Sequence, residues 1–205
     1  MMRGVPGTSD AGQGRQGAKS GVLLRLRRFA EDRRGVGAIE FAIVAPLLMM
    51  AYISAFELTI GYTLSRKVSR AASTVSDLLT QNASTNAAVL DTMKDVTKSV
   101  IAPFPQPVGF TLKITGVAID ADGKATVAWS RDQDKGQPYT KGTAVALPSS
   151  IEGAKNLFFV RTELAVPHKI LLVAPNLSSK LNDITLAKTS YFGLRQGSAI
   201  ACPDC

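Results

Sequence analysis

The chain has 205 residues, 24 Lys/Arg against 16 Asp/Glu for a formal charge of +8, and 45% hydrophobic residues. The basic excess is concentrated at the front: residues 1–34 carry eight basic and three acidic groups, +5, whereas the remainder from Gly35 carries only +3. Charge placed before a long apolar run is explained by membrane topology, and no base-reading motif follows it, so no nucleic-acid partner is expected.

Residues 1–35 read as a basic cytoplasmic leader. Met1 to Ser20 is polar and glycine-rich, a composition that cannot bury enough apolar surface to fold. Val22 to Phe29 (VLLRLRRF) reads either as a basic amphipathic turn on the anionic inner leaflet or as plain positive-inside charge.

Residues 36–64 are almost entirely apolar, longer than the ~20 residues a helix needs to cross the bilayer core. A secretory signal would carry an apolar core of only about 7 to 15 residues before its cleavage site, whereas this run continues through Leu47, Leu48, Met49, Met50, Tyr52, Ile53 and Phe56. The segment therefore reads as a retained, single-pass membrane helix. The leader charge places the N-terminus in the cytoplasm and Ser65 to Cys205 outside.

Two carboxylates interrupt the apolar run. Glu40 lies near its cytoplasmic edge and Glu57 within about two turns of its outer end, where a charge costs less than at the centre. At about 100° per residue the two point about 100° apart, so they do not form one same-face pair. Glu57 reads either as hydrogen-bonded to a neighbouring helix or as an interfacial carboxylate. Pro46 lacks an N–H and frees a carbonyl or bends the helix.

The stretch RRGVGAIEFAIVAPLL, Arg33 to Leu48, resembles the TadE/TadG family of Flp (tight-adherence) pilus assembly proteins. The resemblance implies a prepilin-like processing site: Gly35 before the cut, Val36 as the new N-terminus, Glu40 as the fifth mature residue followed by Phe41, and Pro46 as the proline common in the family. It also implies that Glu40 pairs with the N-terminal ammonium of a neighbouring subunit, with Phe41, Pro46 and Glu57 on partner-facing helix. Read from residues alone, a glycine at 35 lets an unwound backbone enter a protease because it has no side chain and low helix propensity. Glu40 equally reads as snorkelling to headgroups. The partners implied are a prepilin peptidase, other Flp pilins or pseudopilins, the inner-membrane assembly platform and membrane lipid. The location implied is the bacterial inner membrane, with a place in the pilus itself left open.

Beyond Thr63 a stripe of Leu64, Val68, Ala71, Val75 and Leu78 predicts an amphipathic helix continuing from the spanning one. Ser84 or Asn86 then caps a second helix, Ala87 to Ile101, with Val89, Met93, Val96, Val100 and Ile101 on its apolar face, ended by Pro103, Pro105 and Pro107. Residues 65–101 are thus read as extracytoplasmic helices, and 102–205 as an antiparallel α+β domain with a cysteine-containing tail.

Within that domain Phe110, Leu112, Ile114 and Val117 alternate imperfectly, Asp120 to Gly123 turns, and Ala125, Val127 and Trp129 resume the alternation. Ser130 to Thr143 and Pro148 to Ala154 read as loops. Leu157 to Val166 and Lys169 to Val173 read as strands separated at Pro167 and His168, and Ile184 to Leu194 as a last strand. Four or five antiparallel strands need cover on one face, which the helices supply. The overall expectation is an α+β fold: a long transmembrane helix, its amphipathic continuation, then an antiparallel sheet.

Asp120, Asp122, Asp132 and Asp134 lack the loop spacing of a calcium site and read as turn residues. A single histidine, His168, gives no support for zinc catalysis or a Ser-His-Asp arrangement, and no phosphate-binding glycine pattern is present. No cofactor, metal or catalytic residue is expected, and the chain is read as not an enzyme. Cys202 and Cys205, a C-x-x-C pair at the C-terminus, read as a disulfide closing the tail or bonding a partner, with shared zinc or a redox dithiol as the weaker readings. The functional expectation is a minor pseudopilin-like component of Flp/type IVb pilus assembly. The alternatives are a membrane-anchored envelope sensor or adhesion module, and an envelope oxidoreductase.

Overall fold

The computed structural model describes residues 35–105, 108–169, 183–195 and 197–205. The basic leader, the Lys169 to Val173 strand beyond its first residue, and Pro107 lie outside them. The chain divides into two compact units, residues 1–51 and 52–205.

In the first unit, the described residues from Val36 onward are helical. They begin α1, Val36–Thr80, with Pro46 inside it. Its large apolar side chains are open: Ile39, Phe41, Ile43, Leu47, Leu48, Met49 and Met50 are all more than half exposed.

In the second unit the helix changes character at Leu64. Leu64, Val68, Ala71, Ala72, Val75, Ser76, Leu79 and Thr80 are buried, at the i, i+3, i+4 spacing of one helix face. The expected Leu78 is instead 38% exposed and Leu79 takes its place at 2%. Steps of three and four from Val68 through Ala71/Ala72 and Val75 land on Leu79, and Leu78 lies about 100° away from it. The small residues Ala71, Ala72 and Ser76 let the helix lie close to the sheet.

Helix α2, Ala87–Ile101, has the expected bounds, and Asn86 is its cap: the side-chain oxygen accepts from the Val89 N–H at 2.8 Å. Its buried face is Leu90, Met93, Thr97 and Ile101. Val89, expected inside, is 41% exposed. Thr97 takes a core position because its hydroxyl donates to Met93 O at 2.8 Å, leaving no unsatisfied polar atom.

Four strands follow, β1 Thr111–Ile119, β2 Ala125–Asp132, β3 Leu157–Lys169 and β4 Asp183–Gly193, in one antiparallel sheet ordered β2-β1-β3-β4. In β1, Leu112 and Ile114 join the main core while Val117 and Ile119 belong to a small second cluster, so its alternation is imperfect because both faces are covered; in β2 the expected row is broken by a bulge. Gly116 pairs with Trp129 and Val117 with Val127, so Ala128 is an extra residue and the β1–β2 ladder carries a bulge. The bulge puts Ala125 in a small cluster with Val117 and Ile119, while Trp129 joins the main core under the helices. Ala125, Val127 and Trp129 therefore do not form the single same-face row their spacing predicts. Gly116 is required by this packing, since a Cβ there would stand 2.4 Å from the Trp129 ring.

Strand β3 runs unbroken through Pro167 and His168, where a break was expected. Its pairing to β1 ends at Ala165, and only β4 continues alongside to Lys169. A proline is tolerated there because the strand has a neighbour on one side only. Strand β2 likewise extends to Asp132, three residues into the expected loop, which then returns along it. The Val127 N–H donates to Thr143 O, Gly142 N–H to Val127 O and Val145 N–H to Ala125 O, covering an edge that would otherwise be open to another strand.

Candidate functional site

The expected processing and partner residues all lie on α1. Gly35 immediately precedes the first helical residue, is exposed, and has open space where a Cβ would project. Val36 is 47% and Phe41 70% exposed, and Glu40 and Pro46 are exposed as well. Among the described residues no hydrogen bond or ion pair is formed by Glu40.

Glu57, on the second unit's part of α1, is half-buried. Further along α1, the Thr59 and Thr63 hydroxyls donate back to Ala55 O and Thr59 O at 2.8 Å each. Polar side chains satisfied within their own helix are compatible with hydrocarbon. The most apolar 18-residue stretch of α1 is 0% buried, which separates it from the core helix of a water-soluble protein. Among the described residues it is the one helix long and apolar enough to cross a membrane.

Cys202 and Cys205 are brought together at disulfide distance, with Cα atoms 5.5 Å apart. Sequence reasoning placed this pair in a tail; the structure docks the tail into the fold. Trp129 Nε1 donates to Ile200 O at 2.8 Å, and Ile200 is 2% exposed. The Thr85 N–H donates to Ala201 O at 2.9 Å, while the Ala201 N–H donates to Ala83 O. Asp204 Oδ1 accepts from the Ala87 N–H at 3.0 Å, adding a second acceptor to the α2 N-terminus beside Asn86. Only the buried tryptophan hinted at this in the sequence, because an indole N–H inside a core needs an acceptor. Cys202, Asp204 and Cys205 lie close enough to suggest metal ligands, but sulfurs bonded to each other are not thiolates.

The sheet domain is tied together by polar contacts across elements. Ser76 Oγ donates to Thr162 Oγ1 at 2.8 Å between α1 and β3, both fully buried. Arg131 donates through Nε and a terminal nitrogen to both oxygens of Asp91, at 2.9 and 3.2 Å, joining β2 to α2. The hydrogen bonds from Arg131 hold the Asp91 carboxyl below the usual carboxylate range against a smaller opposing effect of burial, and Arg131 is raised in turn. On the opposite sheet face Tyr139 is raised, by burial first and then by its hydrogen bond to Glu163.

The Asp120, Asp122, Asp132 and Asp134 group does turn chemistry. Asp120 Oδ1 accepts from the Asp122 and Lys124 N–H groups, and Asp132 Oδ1 from those of Asp134 and Gly136.

Residues 35–77 match the family model described as TadE-like protein. No curated protein and no solved structure gives a significant match to the chain. The matched segment opens on Gly35 and contains Glu40, Phe41, Pro46, Glu57 and the first buried turns of the domain helix, and the similarity to the TadE-like family is carried by that segment.

Proposed function

We propose that this protein is a minor pseudopilin-like component in the assembly of tight-adherence (Flp, type IVb) pili. The coarser part, a role in that assembly, follows from the TadE-like segment. The finer part is supported by one observation: the family segment opens on an accessible Gly35, followed by an exposed apolar helix with an exposed carboxylate at its fifth residue.

In this reading a prepilin peptidase cuts after Gly35, and Val36 becomes a charged N-terminus. Glu40 then offers its carboxylate to the ammonium of an adjacent subunit. Two charges in a poorly hydrated place favour the one axial register that brings them together, since an unmatched register leaves each of them uncompensated. Phe41, Pro46 and Glu57 lie on helix available to pilins, pseudopilins or the inner-membrane platform. The role is structural, with the N-terminus cytoplasmic, the sheet domain on the outer face of the inner membrane, and no cofactor.

The test is the N-terminal sequence of the membrane-extracted protein, combined with crosslinking of Glu40→Ala at equal abundance. The expected results are a start at Val36, loss of the start in a Gly35 variant with a bulky side chain, and weak crosslinking of Glu40→Ala to other pilins despite normal insertion. An unprocessed N-terminus together with unchanged crosslinking would put the anchored sensor or adhesion reading first.

A further inference from the structure

The second unit brings one end of its sheet down to the level at which the apolar part of α1 stops. The contact between Ser76 and Thr162 fixes the last turns of α1 against the middle of β3. The Arg195 N–H reaches Thr80 O near the end of α1, beside the β3 start at Phe158, so the helix descends toward Leu64 as β3 runs toward Lys169. From Ser76 the helix covers about 21 Å to Tyr62, and from Thr162 the strand covers about 23 Å to Lys169.

The other contacts agree. Leu64, two residues past Tyr62, is already 3% exposed in the core. Lys67 Nζ donates to Ala102 O, which places the α2–β1 connection at the same level. That connection meets the β3 end, where a Cβ on Gly109 would lie 3.2 Å from the Pro167 ring.

The surface so formed is basic and apolar together. Tyr62, Arg66 and Arg70 are exposed at i, i+4, i+8 on one helix face, and the Arg66 guanidinium lies 5.8 Å over the Tyr62 ring. Helical side chains lean toward the N-terminus of their helix, which here is the bilayer side. Pro103 and Pro105 are exposed, Val108 is 101% exposed, and Lys169 is exposed at the strand end. Arg66 and Arg70 stand about 6 and 12 Å beyond Tyr62, and the headgroup layer is about 5 to 7 Å deep on each side of the hydrocarbon.

We infer that this end of the domain is a lipid-docking surface: Arg66, Arg70 and Lys169 engage anionic phospholipid headgroups, and Val108 dips between them. The domain then sits directly on the bilayer with no stalk, its tilt set by lipid contacts. The inference rests on residues 36–62 spanning the membrane.

The test uses the full chain in nanodiscs of neutral phosphatidylcholine, or of phosphatidylcholine with phosphatidylglycerol, each containing a headgroup-attached nitroxide lipid. A fluorophore is placed at Val108→Cys or, as the far-end control in the β1–β2 turn, at Ala121→Cys. The expected result is strong quenching at 108, little at 121, and an increment at 108 from phosphatidylglycerol that is lost in the Arg66→Ser/Arg70→Ser variant. Equal quenching at both positions would overturn the docking. Quenching at 108 that ignores both lipid charge and the arginines would overturn the headgroup recognition. Arginine variants that keep the increment yet lose crosslinks to other pilins in cells would assign the arginines to a protein partner instead. Failure of the protein to remain in discs after an alkaline wash would reject the spanning segment itself, a separate outcome.

Discussion

One helix, two environments: up to Leu58 the large apolar residues of α1 are mostly exposed, and from Leu64 its apolar stripe is almost wholly buried. Both stretches are rich in Leu, Val and Ala, but the second also carries Arg66, Lys67, Arg70 and Asp77. What separates them is periodicity. The first is apolar on every face and suits a uniform apolar surrounding, whereas the second is apolar on one face and needs a single partner, which the sheet provides.

The comparison is broken most severely by Val75→Asp. Val75 is 0% exposed, so the carboxylate would be buried unpaired, at a cost of about 4 kcal/mol or more. Urea unfolding of the detergent-solubilised protein should show the sheet domain largely unfolded, with the protein still membrane-associated.

Leu47→Asp should do the reverse. Leu47 is 57% exposed, so the domain keeps its unfolding midpoint. Insertion weakens by about 3 kcal/mol for a carboxylate near the centre of a spanning helix, read as a larger fraction released by carbonate extraction.

Ser76→Ala sharpens the comparison within the buried half. It strands the Thr162 hydroxyl and should cost about 1 to 3 kcal/mol in domain stability, while the double variant Ser76→Ala/Thr162→Val should recover most of that loss. A double variant no better than the single would show that packing, and not the hydrogen bond, holds α1 to β3.

The smallest effect is acid sensitivity. Asp91 is held below its usual range on folding, so its stabilising contribution is full above the ordinary Asp value of about 4 and is lost as pH falls through the lower folded value. The urea midpoint should fall below about pH 4, and Asp91→Asn should lower the neutral-pH midpoint while flattening that part of the acid dependence. An unchanged acid slope in Asp91→Asn would assign it to other carboxylates.

Features carried by neighbouring residues are legible in the residue order alone. The α2 bounds follow from Asn86 at one end of the helix and Pro103 at the other, and the span follows from hydropathy. Reading failed where a distant contact overrode the local pattern. Thr97 looks like a surface residue until its hydroxyl is seen turned back on Met93 O. The bulge at Ala128 cannot be read from β2 alone, because it is a property of the pairing with β1. Pro167 signals a break only until the sheet shows that β1 has already left that part of β3.

The candidate sites divide along the same line. Gly35, Val36, Glu40, Phe41 and Pro46 fall within the twelve residues 35–46 and all are exposed, so residue order alone puts them side by side. Hydrophobic period, capping residues and charge before an apolar run act over a few residues, and those the sequence by itself determined. The order β2-β1-β3-β4 and the seat of the Cys202 and Cys205 tail against the α1–α2 connection were decided only by the tertiary structure. The physical reason is that these depend on backbone hydrogen bonds and packing between segments tens of residues apart, and a peptide N–H or C=O is the same chemical group whichever residue carries it.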